Sequence, residues 1–77
     1  MQITIYTRTA CPNCDTAKKL LKAKGLSYQE HDMEDPAVHA QFTQAHPDLR
    51  QMPQIFINDQ RVGGLAGLQA ALKQVGL

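Results

Sequence analysis

Tryptophan is absent from the sequence, and only two tyrosines and two phenylalanines are present. So few aromatic rings leave no stacking platform for nucleic-acid bases. A surplus of one charge sign is missing as well: eight Lys and Arg stand against seven Asp and Glu, interspersed, for a net charge of +1. No basic patch argues for nucleic acid. Cysteine is scarce, and two residues are too few for the disulfide framework of a small secreted domain. No apolar stretch is long enough to span a bilayer. Met1 is followed at once by the strand-like run Gln2 to Thr7, without the charged, apolar and cleavage regions of an export signal. The expectation is a soluble, cytoplasmic protein without membrane partners. At 77 residues it is expected to form one domain, 1–77, with no room for a second core. Internal repeats, linkers and low-complexity segments are lacking too.

What chemistry there is lies between Tyr6 and Asp15, where both cysteines stand two residues apart after a strand-like run and before a helix-like one. Cys11 is expected to be the N-cap of that helix and Pro12 its first residue, a position where the missing proline N–H costs nothing. The first-turn N–H groups of a helix are unpaired, and the dipole places partial positive charge there. A thiolate at Cys11 would sit where those donors point. That environment lowers a cysteine pKa from about 8.5 into a range of roughly 3.5 to 7.5. Three residues along the helix bring Cys14 back beside Cys11, within reach of a disulfide. The pair reads as a dithiol redox site.

The remaining chain alternates elements. Leu26 to His31 is a polar strand candidate suited to a sheet edge. Asp35 is placed to cap a second helix with Pro36 first, an apolar stripe at Val38, Phe42 and Ala45, and a stop at His46-Pro47. Ile55, Phe56 and Ile57 are apolar without alternation, as in a strand covered on both faces. Asn58-Asp59 supplies a turn, and Gln60 to Gly63 a returning strand. Leu65, Leu68, Leu72 and Val75 then repeat at helical spacing to the C-terminus, the leucines as core, with Gly67 weakening the first turn by about 1 kcal/mol. Strand-helix-strand starts require a parallel pair and a right-handed crossover. The expected class is α/β: a four-stranded mixed sheet, order β-α-β-α-β-β-α, with helices on both faces.

Cys11-Pro12-Asn13-Cys14 after a strand, Met52-Pro53 before a buried strand, and Gly63-Gly64 before the last helix together resemble the glutaredoxin family of the thioredoxin-like superfamily. The resemblance spans essentially the whole chain. It implies a glutathione-disulfide oxidoreductase in which Cys11 is an exposed nucleophile and Cys14 the resolving cysteine. It implies a cis Met52-Pro53 bond facing the cysteines, leaving the Met52 backbone free to pair with an extended ligand such as glutathione. Gly63-Gly64 would let the backbone approach that ligand, and the N–H groups of Leu65 and Ala66 would take its glutamyl carboxylate. Arg8 would pair with a ligand carboxylate and favour the Cys11 thiolate. Asn13, Gln51 and Pro53 complete the implied glutathione-contacting set. No bound cofactor or metal is implied, only glutathione as cosubstrate, and the partners are disulfide-containing proteins met by a monomer.

Departures from the family pattern bear on the electron source. Common members carry tyrosine where Asn13 stands, and acidic or hydroxyl residues where Ala66 and Gly67 stand. Arg50-Gln51-Met52-Pro53 and Ile3-Thr4-Ile5-Tyr6-Thr7-Arg8 look like the glutaredoxin-like electron donors of ribonucleotide reductase, which thioredoxin reductase reduces. That is the alternative function. A third reading is an iron–sulfur carrier formed by two chains bridged by glutathione. Half a zinc site fits worse, since His39 and His46 are not three to five residues apart and Pro12 intrudes. The three histidines are expected to be solvated.

Overall fold

In the computed structural model, which describes residues 1–77, Ile3-Thr4-Ile5-Tyr6-Thr7 forms strand β1 (Ile3–Thr7) with alternate residues buried. Helix α1 (Pro12–Ala23) follows and buries Cys14, Ala17 and Leu21 at helical spacing. It ends in a Schellman motif. The Leu26 N–H donates to the Leu21 carbonyl and the Gly25 N–H to the Lys22 carbonyl, both at 3.0 Å, with Gly25 at φ +69°. Strand β2 (Gln29–Asp32) leads to helix α2 (Pro36–Ala45), whose Asp35 cap accepts from the Ala37 N–H at 2.9 Å. Strands β3 (Gln54–Ile57) and β4 (Gln60–Gly63) form a hairpin, and helix α3 (Leu65–Gln74) follows. Asn58 and Asp59 both hold positive φ in the hairpin turn, the conformation that matches strand twist.

The element order is the one the sequence implies. The four strands form one sheet in the order β2-β1-β3-β4, with β1 parallel to β2 and antiparallel to β3, and β4 antiparallel to β3. On one face α1 and α3 cover a buried cluster of Ile3, Ile5, Ala17, Leu21, Ile55, Leu68 and Leu72. On the other, Phe42 of α2 lies 4.6 Å from Tyr6 between ring centroids. Helices therefore flank both faces, and the polar β2 stands at an edge.

Four expectations change. The second strand begins at Gln29 rather than Leu26, because its ladder starts where Gln29 pairs with Thr4; Leu26 and Tyr28 instead pack on the core. Helix α3 ends at Gln74 rather than at the C-terminus, and Val75, its C-cap, is 61% exposed. Ala45 is also exposed, leaving Phe42 as the buried residue of α2. Two of the three histidines are not simply solvated: His31 stacks on Tyr6 at 5.1 Å, and His46 packs against Phe42 and Phe56 at 5.0 and 5.4 Å.

One polar network ties the edge strand to α1. Thr7 Oγ1 donates to Glu30 Oε2 at 2.8 Å, and Lys18 Nζ donates to the same oxygen at 3.1 Å. The Thr7 hydroxyl first, and Lys18 after it, hold the Glu30 carboxyl below the usual carboxylate range against the opposing effect of burial. The same bond to Glu30 raises Lys18. Solvent reaches both charged partners, so the pair contributes at most about 1 kcal/mol.

Candidate functional site

The site begins where β1 ends. Arg8 and Thr9 are exposed, Ala10 turns the chain at φ 55°, and Cys11 takes up an extended conformation as the N-cap of α1. Pro12 occupies the first helical position, so α1 starts at the expected residue. The Cys14 N–H donates to Cys11 Sγ at 3.1 Å, and the Asp15 N–H to the Cys11 carbonyl at 3.2 Å. A cysteine sulfur thus fills the role that a serine or aspartate oxygen usually has at an N-cap. Cys11 and Cys14 are joined as a disulfide, with their Cα atoms 5.2 Å apart.

Exposure of the two cysteines is unequal but small at both. Cys11 is 7% exposed and Cys14 1%. The expectation of an exposed Cys11 is corrected by that figure. Its sulfur is covered on one side by Cys14 and on another by the Met52 carbonyl oxygen, 3.5 Å away. Cys14 lies on the buried face of α1 with Ala17 and Leu21.

The second segment of the site is the loop from Gln51 to Pro53. The Met52-Pro53 peptide is cis, as the family resemblance implies. Met52 is half-buried, Pro53 buried and Gln51 exposed. While the Met52 carbonyl faces Cys11, the Met52 N–H has no hydrogen-bond partner in the chain.

The third segment is the start of α3. Gly64 is its N-cap and offers no side-chain oxygen, so the first N–H groups, including those of Leu65 and Ala66, lack a capping bond. A Cβ placed on Gly64 would lie 3.6 Å from the Pro53 carbonyl, which puts this helix start directly beside the Met52-Pro53 loop. Gly63, at φ +102°, makes the turn into it. The structure thus brings together Cys11, Cys14, Met52, Pro53 and Gly64. Arg8 and Asn13 are exposed and make no side-chain hydrogen bond to the rest of the chain.

Two residues beside the site escape the sequence reading. Gln54 is only 5% exposed, and its amide donates to the Gln51 carbonyl at 2.9 Å while accepting from Arg61 Nε at 3.1 Å. The available signal is a lone polar residue between Pro53 and Ile55, at the head of a strand otherwise apolar.

A glutaredoxin family model matches residues 3–62. Glutaredoxin 3 of Escherichia coli K12 is 37% identical over 75 residues, covering 97% of this chain and 90% of that protein. Among solved structures, glutaredoxin 1 from Francisella tularensis superposes with a TM-score of 0.79 at 28% identity, over 96% of this chain and 94% of that one. The glutaredoxin-like NrdH-redoxin from Escherichia coli gives 0.73 at 25% identity, over 91% and 93%. The sheet order and flanking helices are those of the thioredoxin-like fold.

Proposed function

This chain belongs to the glutaredoxin family of thiol–disulfide oxidoreductases, and from that premise we propose that glutathione is its reductant, with Cys11 the nucleophile and Cys14 the resolving cysteine. The Cys14 N–H and the positive end of α1 favour the thiolate of Cys11 over its thiol. The thiolate attacks the glutathione sulfur of a mixed disulfide. A Cys11–glutathione bond forms, the substrate's S–S bond breaks, and the departing thiolate takes up a proton. A second glutathione thiolate then attacks the bound glutathione sulfur, releasing glutathione disulfide and restoring the Cys11 thiolate.

Protein disulfides take a different second step. Cys11 first joins one protein sulfur; Cys14 then gives up its proton and attacks Cys11 Sγ, so the protein leaves as a dithiol. The Cys11–Cys14 disulfide carries away the two oxidising equivalents, and two glutathiones reduce it. No metal or organic cofactor enters either sequence.

The observation that carries this reading is the Met52 carbonyl 3.5 Å from Cys11 Sγ beside an unpaired Met52 N–H. An extended tripeptide held there pairs with both groups as an added strand. Gly64 lies beside Pro53, and the uncapped N–H groups of Leu65 and Ala66 that follow it would take the glutamyl carboxylate. Arg8, Asn13 and Gln51 are free to reach the ligand's outer carboxylate and backbone.

A second reading has its own support. Asn13 offers no aromatic wall, Ala66 no polar side chain, and the likeness to NrdH-redoxin, described as having a thioredoxin-like activity profile, extends over 91% of the chain. It makes the chain an electron donor to ribonucleotide reductase that thioredoxin reductase reduces.

A Cys14→Ser chain tests the division of roles. It is expected to keep its turnover of a small glutathione mixed disulfide, to lose turnover of protein disulfides, and to accumulate one glutathione on Cys11 when treated with glutathione disulfide. Loss of the first activity along with the second removes Cys11 as a self-sufficient nucleophile.

A further inference from the structure

Gln54 is a buried polar side chain on the α2 face of the sheet, opposite Tyr6 in the β1–β3 ladder. Its two partners fix which way its amide lies: a guanidinium can only donate and a carbonyl can only accept. Hence Oε1 faces Arg61 Nε at 3.1 Å and Nε2 faces the Gln51 carbonyl at 2.9 Å. Arg61 comes from β4, so the hairpin's second strand is bonded through Gln54 to the loop before Pro53.

The consequence lies in the geometry of one peptide unit. The Gln51–Met52 peptide is trans, so its C=O and its N–H point in opposite directions. Pulling the Gln51 carbonyl toward Gln54 turns the Met52 N–H away from Gln54, and that N–H is the one with no partner in the chain. The next carbonyl, of Met52, faces Cys11 Sγ. We infer that Gln54, locked by Arg61, is a positioning residue: it sets the plane of the Gln51–Met52 peptide so that the Met52 N–H faces the strand-pairing ligand. The inference deepens the glutathione reading above and rests on it. Gln54 touches neither the ligand nor the reacting sulfurs. Its effect therefore falls on ligand binding and spares the reactivity of Cys11.

The test uses the pre-reduced chain and a synthetic cysteine peptide carrying glutathione as a mixed disulfide. Single-turnover release of the peptide thiol is followed against peptide concentration. Gln54→Glu keeps an acceptor for Arg61 but, ionised, has no N–H for the Gln51 carbonyl. Its half-saturating concentration is expected to rise about tenfold, the worth of one hydrogen bond. Alkylation of Cys11 by iodoacetamide, which needs no strand pairing, keeps its wild-type rate and pH profile. Arg61→Ala, a change at an exposed residue that does not threaten folding, is expected to raise half-saturation about threefold with alkylation again unchanged. Unchanged half-saturation in both variants overturns the role, as does alkylation slowing in step with it, which marks general disruption. A wild-type chain that shows no saturable reaction with this peptide overturns the glutathione reading itself, whereas a saturable wild type with unchanged variants removes only the role of Gln54.

Discussion

A Cys11→Ser chain is expected to fold as the wild type does and to reduce neither glutathione mixed disulfides nor protein disulfides. The serine oxygen takes over the N-cap position that the sulfur holds, accepting from the Cys14 N–H, so the helix start survives. On the proposed mechanism, what is lost is the nucleophile. A cysteine at a helix N-terminus ionises far more readily than a serine hydroxyl there, and the only hydrogen-bond partners of the residue 11 side chain are the Met52 carbonyl and the Cys14 N–H, neither of them a base that could activate serine. Turnover should fall by at least about a thousandfold, to the rate of free glutathione. Thermal unfolding of the reduced wild type and the variant, measured side by side, separates this loss from unfolding. Activity retained in the variant would move the chemistry to Cys14. That outcome conflicts with Cys14 being 1% exposed on the core face of α1.

Replacing Gly67 by alanine is expected to destabilise the fold, although helix propensity alone predicts a gain of about 1 kcal/mol. A Cβ at position 67 falls on the carbonyl oxygen of Val62 and lies 2.8 Å from the carbonyl carbon. The obstacle is β4 backbone, which cannot rotate aside as a side chain does. Relief requires shifting α3 away from the hairpin, and overpacking of this kind costs about 3 kcal/mol. The collision outweighs the propensity by about 2 kcal/mol, lowering Tm by about 10 °C in a domain of this size. A scanning calorimetry experiment on the reduced proteins checks it; a Gly67→Ala chain that melts higher than wild type contradicts the packing of α3 on β4. The same contact gives a steric reason for the missing acidic side chain at position 67. No side chain fits there without moving the helix.

That contrast between Gly67 and its sequence reading marks the limit of what sequence alone displays. Cys11-Pro12, Asp35-Pro36 and Asn58-Asp59 announce their structures because helix starts and hairpin turns are decided by the residues that make them. The redox pair was legible for the same reason, being an N-cap and the residue one turn later. Val62 and Gly67 meet only because α3 folds back on β4, and nothing local at Gly67 reports that approach. The start of β2 is set by the register of Gln29 on Thr4, a property of the pair of strands. His31 and His46 become ring partners of Tyr6, Phe42 and Phe56 only once α2 covers the sheet. Gln54 and Arg61 stay hidden for a related reason. A single glutamine in a strand carries no signal until the loop carbonyl and the guanidinium close on it.

The two functional readings differ in what must touch the Met52 backbone and the start of α3. For the glutathione reading, backbone groups alone must hold the glutamyl end of the tripeptide, because Ala66 and Gly67 contribute no polar side chain. For the electron-donor reading, the same free Met52 N–H and carbonyl receive an extended protein segment, and the helix start has no ligand. Steady-state NADPH consumption with a small disulfide substrate, run once with glutathione plus glutathione reductase and once with thioredoxin reductase, separates them most directly. Saturable turnover with glutathione and glutathione reductase is the predicted result. Turnover with thioredoxin reductase alone, and none above background at any glutathione concentration, would contradict it.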